Sequence, residues 1–584
     1  MLGTMAGLWL SFFLFFIVFF AGLVAFLAKT LSSSESSTPQ HVLYINLSGN
    51  ILERSPELRL QDLMNLDELG ADNFSNILTA VKLAASDKDI HGIVLNCAGS
   101  SLGVASRGEL LQAIQQFKEK SKGKWVLAYG DQYTQGDYYV ATVADKIYLN
   151  PIGMVDVHGL SANTIFFKNM LDKIGVEMQV VKVGSYKSAV EPFIRTSMSE
   201  PSREQTTIYL TEIWNHMVGQ IAENRGANAT DVNLWADSLS MTWATQKFVD
   251  YRMVDELVYR SDFEDIIREK ENLDKDDELP YVTPGEYLTE SQLESLGKTD
   301  SKHIAVYYSV GDIVDSGEGG IVGPKVVNDI SKLTNDDNVC AMVLRVNSGG
   351  GSAFASEQIW HAVEKFKDAG KPVYVSMGDY AASGGYYISC GADKIFADAA
   401  TLTGSIGIFG LIPNANNLLT NKIGIDFDLV ETNPGANIPV LYQGMDAKQY
   451  SAMQGYVERG YDIFTSRVAQ GRELPQDSVK AIGGGRVWDG MSALKLGLVD
   501  SIGGLNAAIK ALADSIDMDA DKYVAYPNSN DKWLDMLLGS GMVKVNIDGS
   551  EAKLGSEYLR LARAAKYLQG LSPVQARMEP VVIK

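Results

Sequence analysis

Ser383 stands in the stretch "AASGGYY", with Ala381 and Ala382 before it and Gly384 and Gly385 after it. Small neighbours let a carbonyl group reach the hydroxyl. A strand-to-helix turn here would place that hydroxyl at a helix N-terminus, where free N–H groups and the helix dipole favour an oxyanion. The pattern is not a GxSxG elbow, and taken alone it equally describes a tight turn of small residues. A second stretch, "RVNSGGGS" at 345–352, follows a short apolar run and precedes a helical pattern. Consecutive glycines permit unusual dihedrals and the close approach of another backbone, so their N–H groups could bind an oxyanion or pair with a peptide. With neither GK[ST] nor GxGxxG, the stretch does not read as a phosphate loop.

A serine nucleophile needs a base. Neither glycine-rich stretch contains His. His361, on the following helix, reads as an ordinary helix residue, and Asp379 is a poor base for a serine. Lysine can serve only if burial removes its proton. Lys187, in "VGSYKSAVEPFIR", lies beside a Gly turn among small or apolar neighbours.

The elements that must carry these residues are written twice. "HVLYINLSGNILE" at His41 matches "HIAVYYSVGDIVD" at His303, and "DKDIHGIVLNCAGSSLG" matches "DDNVCAMVLRVNSGGGS". "YGDQYTQGDYYVATVADKIYLN" overlays "MGDYAASGGYYISCGADKIFAD" without a gap. In that register Gln135 occupies the place of Ser383, and Ala436 that of Lys187. One repeat has the lysine and lacks the serine; the other has the serine and lacks the lysine. A dyad split between the repeats explains both facts, whereas drift at two surface loops explains them only as coincidence.

Within each copy, short β-branched runs ("GIVLN", "AMVLRV", "KWVLAYG", "KPVYVSMG") alternate with helical patterns beginning at serines, "SRGELLQAIQQFKEK" and "SEQIWHAVEKFKDA". That order predicts an α/β fold with mostly parallel strands and right-handed crossovers. The expected organisation is an anchor at 1–28, a polar linker at 29–40, repeats at 41–297 and 298–515, and a C-terminal extension at 516–584 ending in an amphipathic helix. An acidic, polar stretch from Glu271 to Ser301 links the repeats. Residues 8–28 form a charge-free apolar run, and about 20 such residues span a bilayer. No Lys or Arg precedes Lys29, so the run reads as a retained transmembrane helix and not as a cleaved signal.

Composition excludes other classes. A net charge of −21 argues against a nucleic-acid partner. Three cysteines without CxxC (Cys97, Cys340, Cys390) read as structural thiols. Six scattered histidines without ligand spacing give no metal site, and no cofactor is implied.

The motifs "GSYKSAVEPFIR", "LRVNSGGGS", "SMGDYAASGGYYIS" and "LTGSIGIFG", in that order, closely resemble the signal peptide peptidase A (protease IV) family in its long duplicated form. The likeness runs from about residue 41 to about residue 514. It implies tandem domains of the Clp protease/crotonase superfamily and peptide-bond cleavage by a Ser/Lys dyad. Ser383 would be the nucleophile, Lys187 the general base and Ser405 the residue orienting the lysine, with Gly384 and Gly351 forming the oxyanion hole. It further implies a homotetramer on the outer face of the cytoplasmic membrane that degrades signal-peptide remnants. Two departures stand out: Gly349 replaces the proline of the family's "NSPGG", and the expected basic N-terminus is absent. The rival readings are a crotonase-type acyl-CoA enzyme and a catalytically weak membrane-anchored scaffold.

Overall fold

The computed structural model describes residues 41–54, 72–288, 301–527 (apart from 318, 434 and 438–440) and 574–578. The expected anchor, the linker and the C-terminal amphipathic helix lie outside the described residues. Among the described residues no helix is long and apolar enough to cross a membrane.

Each repeat builds a largely parallel sheet. The first runs in the order Glu256–Leu257, Lys146–Val155, Trp125–Tyr133, Gly92–Ser100, Val42–Gly49, Tyr281–Val282, and every pairing is parallel. The second runs Val487–Asp489, Leu402–Gly404, Val373–Ala382, Val339–Ser348, His303–Val310, Tyr523–Tyr526, with Lys394–Ala397 and Ser501–Ile502 branching beside Val373–Ala382. Parallel neighbours need long crossovers, which helices such as Val104–Lys120 and Ala353–Asp368 supply. Helices on both faces bury most of the length of the central strands, so those strands read as continuous apolar runs and not as alternating ones.

Three details differ from the sequence expectation. The crossover helices start earlier than Ser106 and Ser356. Ser352 caps the second, its Oγ accepting from Ala355 N–H at 3.2 Å, while Ser356 Oγ donates back to the Ser352 carbonyl at 2.7 Å. Ser106 is likewise occupied inside its helix, donating from both N–H and Oγ to Asp379 of the other repeat (3.0 and 2.6 Å). Part of the acidic link is structured: Tyr281–Val282 adds an edge strand, and Thr283 and Glu286 form a capping box on helix Pro284–Tyr287. Beyond residue 515, strand Tyr523–Tyr526 continues the second sheet beside His303–Val310.

A third sheet is composite. Its order is Ile321–Val322, Ile313–Val314, Gly350–Ser352, Val574–Arg577, Phe409–Asn414, Glu177–Lys182. The last strand comes from the first repeat and runs antiparallel to Phe409–Asn414, from Phe409↔Lys182 to Asn414↔Glu177. This pairing brings the first repeat's 183–187 loop to the second repeat.

A buried charge cluster sets how the repeats meet. Arg345 is fully buried and bonds Glu53 at 2.7 Å and Glu109 at 2.8 Å, both from the first repeat. Burial pushes the Glu109 carboxyl up against the opposing pull of Arg345. Removing one partner of such a pair typically costs about 3–5 kcal/mol, because the other charge is left uncompensated. The cluster therefore resists any sliding of one repeat over the other.

Candidate active site

Strand Val373–Ala382 ends against Ser383, which is the N-cap of helix Gly384–Ser389. The serine takes φ 55° and ψ −114°, a sparsely populated conformation that costs about 1–3 kcal/mol unless its surroundings enforce it. They do enforce it here: the Ser383 N–H donates to the Gly404 carbonyl at 2.8 Å, and the residue is wholly buried. The expected strand-to-helix turn is present, and the following N–H groups belong to a first helical turn, which has no intrahelical acceptors.

Lys187 arrives from the other repeat on the loop after strand Glu177–Lys182. That loop lies directly on the turn at 483–485. Tyr186 N–H donates to the Gly484 carbonyl at 3.1 Å. Gly485 has φ +86°, and a Cβ on it would lie 2.6 Å from Lys187 N. No side chain fits there, so the glycine run "IGGGR" is what lets the two backbones touch.

The Lys187 Nζ lies 2.7 Å from Ser383 Oγ and donates to both the hydroxyl and the carbonyl oxygen of Ser405, each at 3.1 Å. Ser405 is held by its own N–H, which donates to the Arg486 carbonyl at 2.7 Å. Lys187 is 1% exposed. Burial, which penalises the ammonium, pushes the amine well below its ordinary value.

Gly384 and the glycine run converge beside this pair. A Cβ on Gly350 would lie 2.7 Å from Gly384 N. Gly351 pairs with Ile313 on one side and with Ala576 on the other. Of the five residues singled out from the sequence, Ser383, Lys187 and Ser405 are in direct contact, Gly384 follows Ser383, and Gly351 lies one residue beyond the Gly350 that packs on Gly384. His361 is exposed on its helix, and Asp379 is engaged with Ser106. Two contributors were not read from sequence. The 483–485 turn was visible as a third glycine run, "GGG", but nothing in the sequence tied it to Lys187. Strand Val574–Arg577 carries no local signal beyond four residues able to extend.

A strained serine beside a dry amine, flanked by glycine N–H groups, is equipped for acyl transfer, and comparison with known proteins defines the class. The chain matches the model of Peptidase family S49 twice, over residues 118–274 and 365–519, once in each repeat. It is 36% identical over 524 residues to Protease 4 of Haemophilus influenzae, covering 86% of this chain and 84% of that protein. Protease 4 of Salmonella typhi is 34% identical over 528 residues, with 87% and 84% covered. The chloroplastic serine protease SPPA of Arabidopsis thaliana is 26% identical over 554 residues, with 93% and 78% covered. The molecule is a serine endopeptidase. It belongs to Peptidase family S49, in a form with two tandem α/β domains.

Proposed function

We propose that this endopeptidase works through a Ser/Lys dyad shared between its repeats, on a Clp/crotonase-type fold, and that it degrades signal-peptide remnants and other short apolar peptides. The observation that carries the reading is the 2.7 Å approach of a buried Lys187 amine to Ser383 Oγ across the repeat junction. Neutral Lys187 accepts the Ser383 proton as Oγ attacks the scissile carbonyl. Ser405 offers its hydroxyl and carbonyl oxygens as fixed acceptors, which hold the amine in line. The N–H groups of Gly384 and Gly351 receive the developing oxyanion; such a donor is worth about 3–4 kcal/mol in other hydrolases. The ammonium then protonates the leaving amine, and water releases the acyl group. The substrate enters as an added strand between Gly350–Ser352 and Phe409–Asn414.

In this reading residues 1–28 anchor the body to the outer face of the cytoplasmic membrane, and the chain assembles as a homotetramer. The apolar run at 8–28 supports the anchor. The exposed apolar side chains of Ile425, Phe427, Leu429 and Val430 support self-association. Peptide turnover by the full chain in detergent tests the dyad. Ser383→Ala and Lys187→Ala should each lower turnover by about 10³ or more, and the double variant should be no worse, because the two residues act as one unit. An unaffected Lys187→Ala enzyme would remove the lysine from the mechanism.

A further inference from the structure

Strand Glu177–Lys182 brings the Lys187 loop to the second repeat, but the strand ends before the lysine and does not fix where its amine points. A second hold comes from helix Glu200–Arg225, which begins just after the loop. Its N-cap, Ser199, donates from N–H and Oγ to the buried Glu191 carboxylate at 2.9 and 2.5 Å. The helix start is thereby tied to the segment that follows Lys187.

Gln205, in the second turn of this helix, is 3% exposed. Its Nε2 donates to the Tyr186 carbonyl at 3.1 Å and to Ser188 Oγ at 3.2 Å, and so grips the chain on both sides of Lys187. Its Oε1 accepts from the Val487 N–H of the second repeat at 3.0 Å. A backbone N–H only donates and a carbonyl only accepts, so the two ends of the amide cannot be exchanged. Val487 pairs with Gly404, whose carbonyl receives the Ser383 N–H at 2.8 Å. The carbonyl of Arg486, one residue earlier, receives the Ser405 N–H at 2.7 Å. One amide therefore links the loop that carries the base to the strand that seats the nucleophile and the orienting serine. Nearer the surface, Arg486 Nη2 and Tyr186 Oη donate to the two oxygens of Glu204 at 3.0 and 3.1 Å and cover the loop.

We propose that Gln205 is a positioning residue for the general base: it holds Lys187 within hydrogen-bonding reach of Ser383 and keeps the loop closed over the amine. The proposal rests on the dyad reading above. All three hydrogen bonds of the side chain go to segments that carry the site, which a residue serving the fold alone has no reason to do. Without the amide the loop loosens and water reaches the lysine, which then moves back toward its ordinary range and is neutral only at higher pH. The charged groups on the elements packed around the loop are Lys182, Glu191, Glu204 and Arg486. Burial, and none of these, is what disfavours the charge of the amine.

The test compares the full chain in detergent with Gln205→Leu, which removes all three bonds, and with Gln205→Asn, whose amide is one methylene too short to span loop and strand. Lys187→Ala is assayed beside them. Turnover of an apolar fluorogenic peptide is followed from mildly acid to alkaline pH. In both Gln205 variants the midpoint of the rise in kcat should move up by about one pH unit, so that kcat falls about tenfold at neutral pH and much less at the alkaline plateau. KM should stay within about twofold, because the substrate contacts are untouched. Acetylation of Lys187 by acetic anhydride, read by mass spectrometry, should show the same upward shift of its midpoint. A midpoint unchanged in both variants overturns the proposal, as does a loss of kcat that is uniform across pH; Gln205 would then serve the fold alone. Gln205→Asn carries the test where Gln205→Leu does not fold. Acetylation needs no turnover, so it reads the amine even in a form that cleaves no peptide. Full activity in Lys187→Ala would sink the dyad itself, an outcome distinct from an unshifted Lys187 in the Gln205 variants.

Discussion

The central strand of the first repeat, Trp125–Tyr133, turns into helix Gln135–Ala141; that of the second, Val373–Ala382, turns into helix Gly384–Ser389. The turns fall at matching places but differ in backbone: Thr134 caps the first helix in an extended conformation with Gln135 as its first residue, whereas Ser383 itself caps the second at φ 55°. Gln135 is buried and satisfied: its Oε1 accepts from the N–H groups of His158 and Gly159 at 2.8 and 2.9 Å, and its Nε2 donates to the Gly159 carbonyl at 2.9 Å. Asp137, where the second repeat has Gly385, accepts from Gly99 N–H at 2.8 Å and Ser100 Oγ at 3.0 Å. A carboxylate thus ties this turn to the end of the neighbouring strand Gly92–Ser100. In the second repeat a Cβ at Gly385 would lie 2.6 Å from the Ser348 carbonyl, so no side chain can do the same. In the first repeat the Gln135 and Asp137 side chains are saturated as ordinary interior groups are. The second keeps a strained serine and a buried amine whose surroundings disfavour its charge, and both lower stability.

Making the second repeat as inert as the first has the largest expected effect. Lys187→Met should abolish turnover, by about 10³ or more. It should also raise the thermal midpoint, because a buried amine is replaced by a thioether of similar length. Midpoint and activity measured on one preparation would break the comparison if they fell together. In the parent enzyme a lysine whose pKa is depressed by burial is neutral only above that depressed value. Activity should therefore rise with pH and then level off, and a profile flat from mildly acid to mildly alkaline pH speaks against the lysine base.

Asp398 gives the next largest effect, since the first repeat has Asn150 at its place. Burial raises the Asp398 carboxyl to about 7, with Glu109 and Asp379 adding repulsion. For an acid whose folded pKa lies above its unfolded value, stability is complete below about pH 4 and is lost as pH rises through 7. Asp398→Asn should therefore stabilise the enzyme at pH 8, on the order of a few kcal/mol, and change little at pH 4. Equal gains at both pH values in thermal unfolding would remove the carboxylate from the explanation.

The converse change, Gln135→Ser, removes the first repeat's plug. Denaturant unfolding should show a loss of about 1–3 kcal/mol from the unpaired N–H groups left behind. No second activity should appear in a Ser383→Ala background, because Ala436 stands where a lysine would be required. The smallest effect belongs to Gly349. A Cβ there meets nothing within 4 Å, so restoring the family's proline should stabilise by about 0.4–1 kcal/mol through the unfolded state. An unchanged KM would show that the glycine does not loosen the site.

The duplication, the parallel α/β plan and the pairing of a lone Ser383 with a lone Lys187 could all be read from residues, because apolar runs, glycine clusters and repeat register are local patterns. The crossover-helix starts were misread by a few residues, since Ser106 and Ser356 look like caps until their hydroxyls find partners elsewhere. What sequence alone determined is which groups exist and which copy lacks each. Tertiary structure decided that groups 196 residues apart meet at 2.7 Å, because that depends on Glu177–Lys182 pairing with a strand of the other repeat. It also decided that the amine is dry, because desolvation is set by everything packed around a group and not by its neighbours in the chain. The C-terminal strand is of the same kind: four residues able to extend specify a strand but not its partners, and only the edges that Gly350–Ser352 and Phe409–Asn414 present in the fold tell them where to lie.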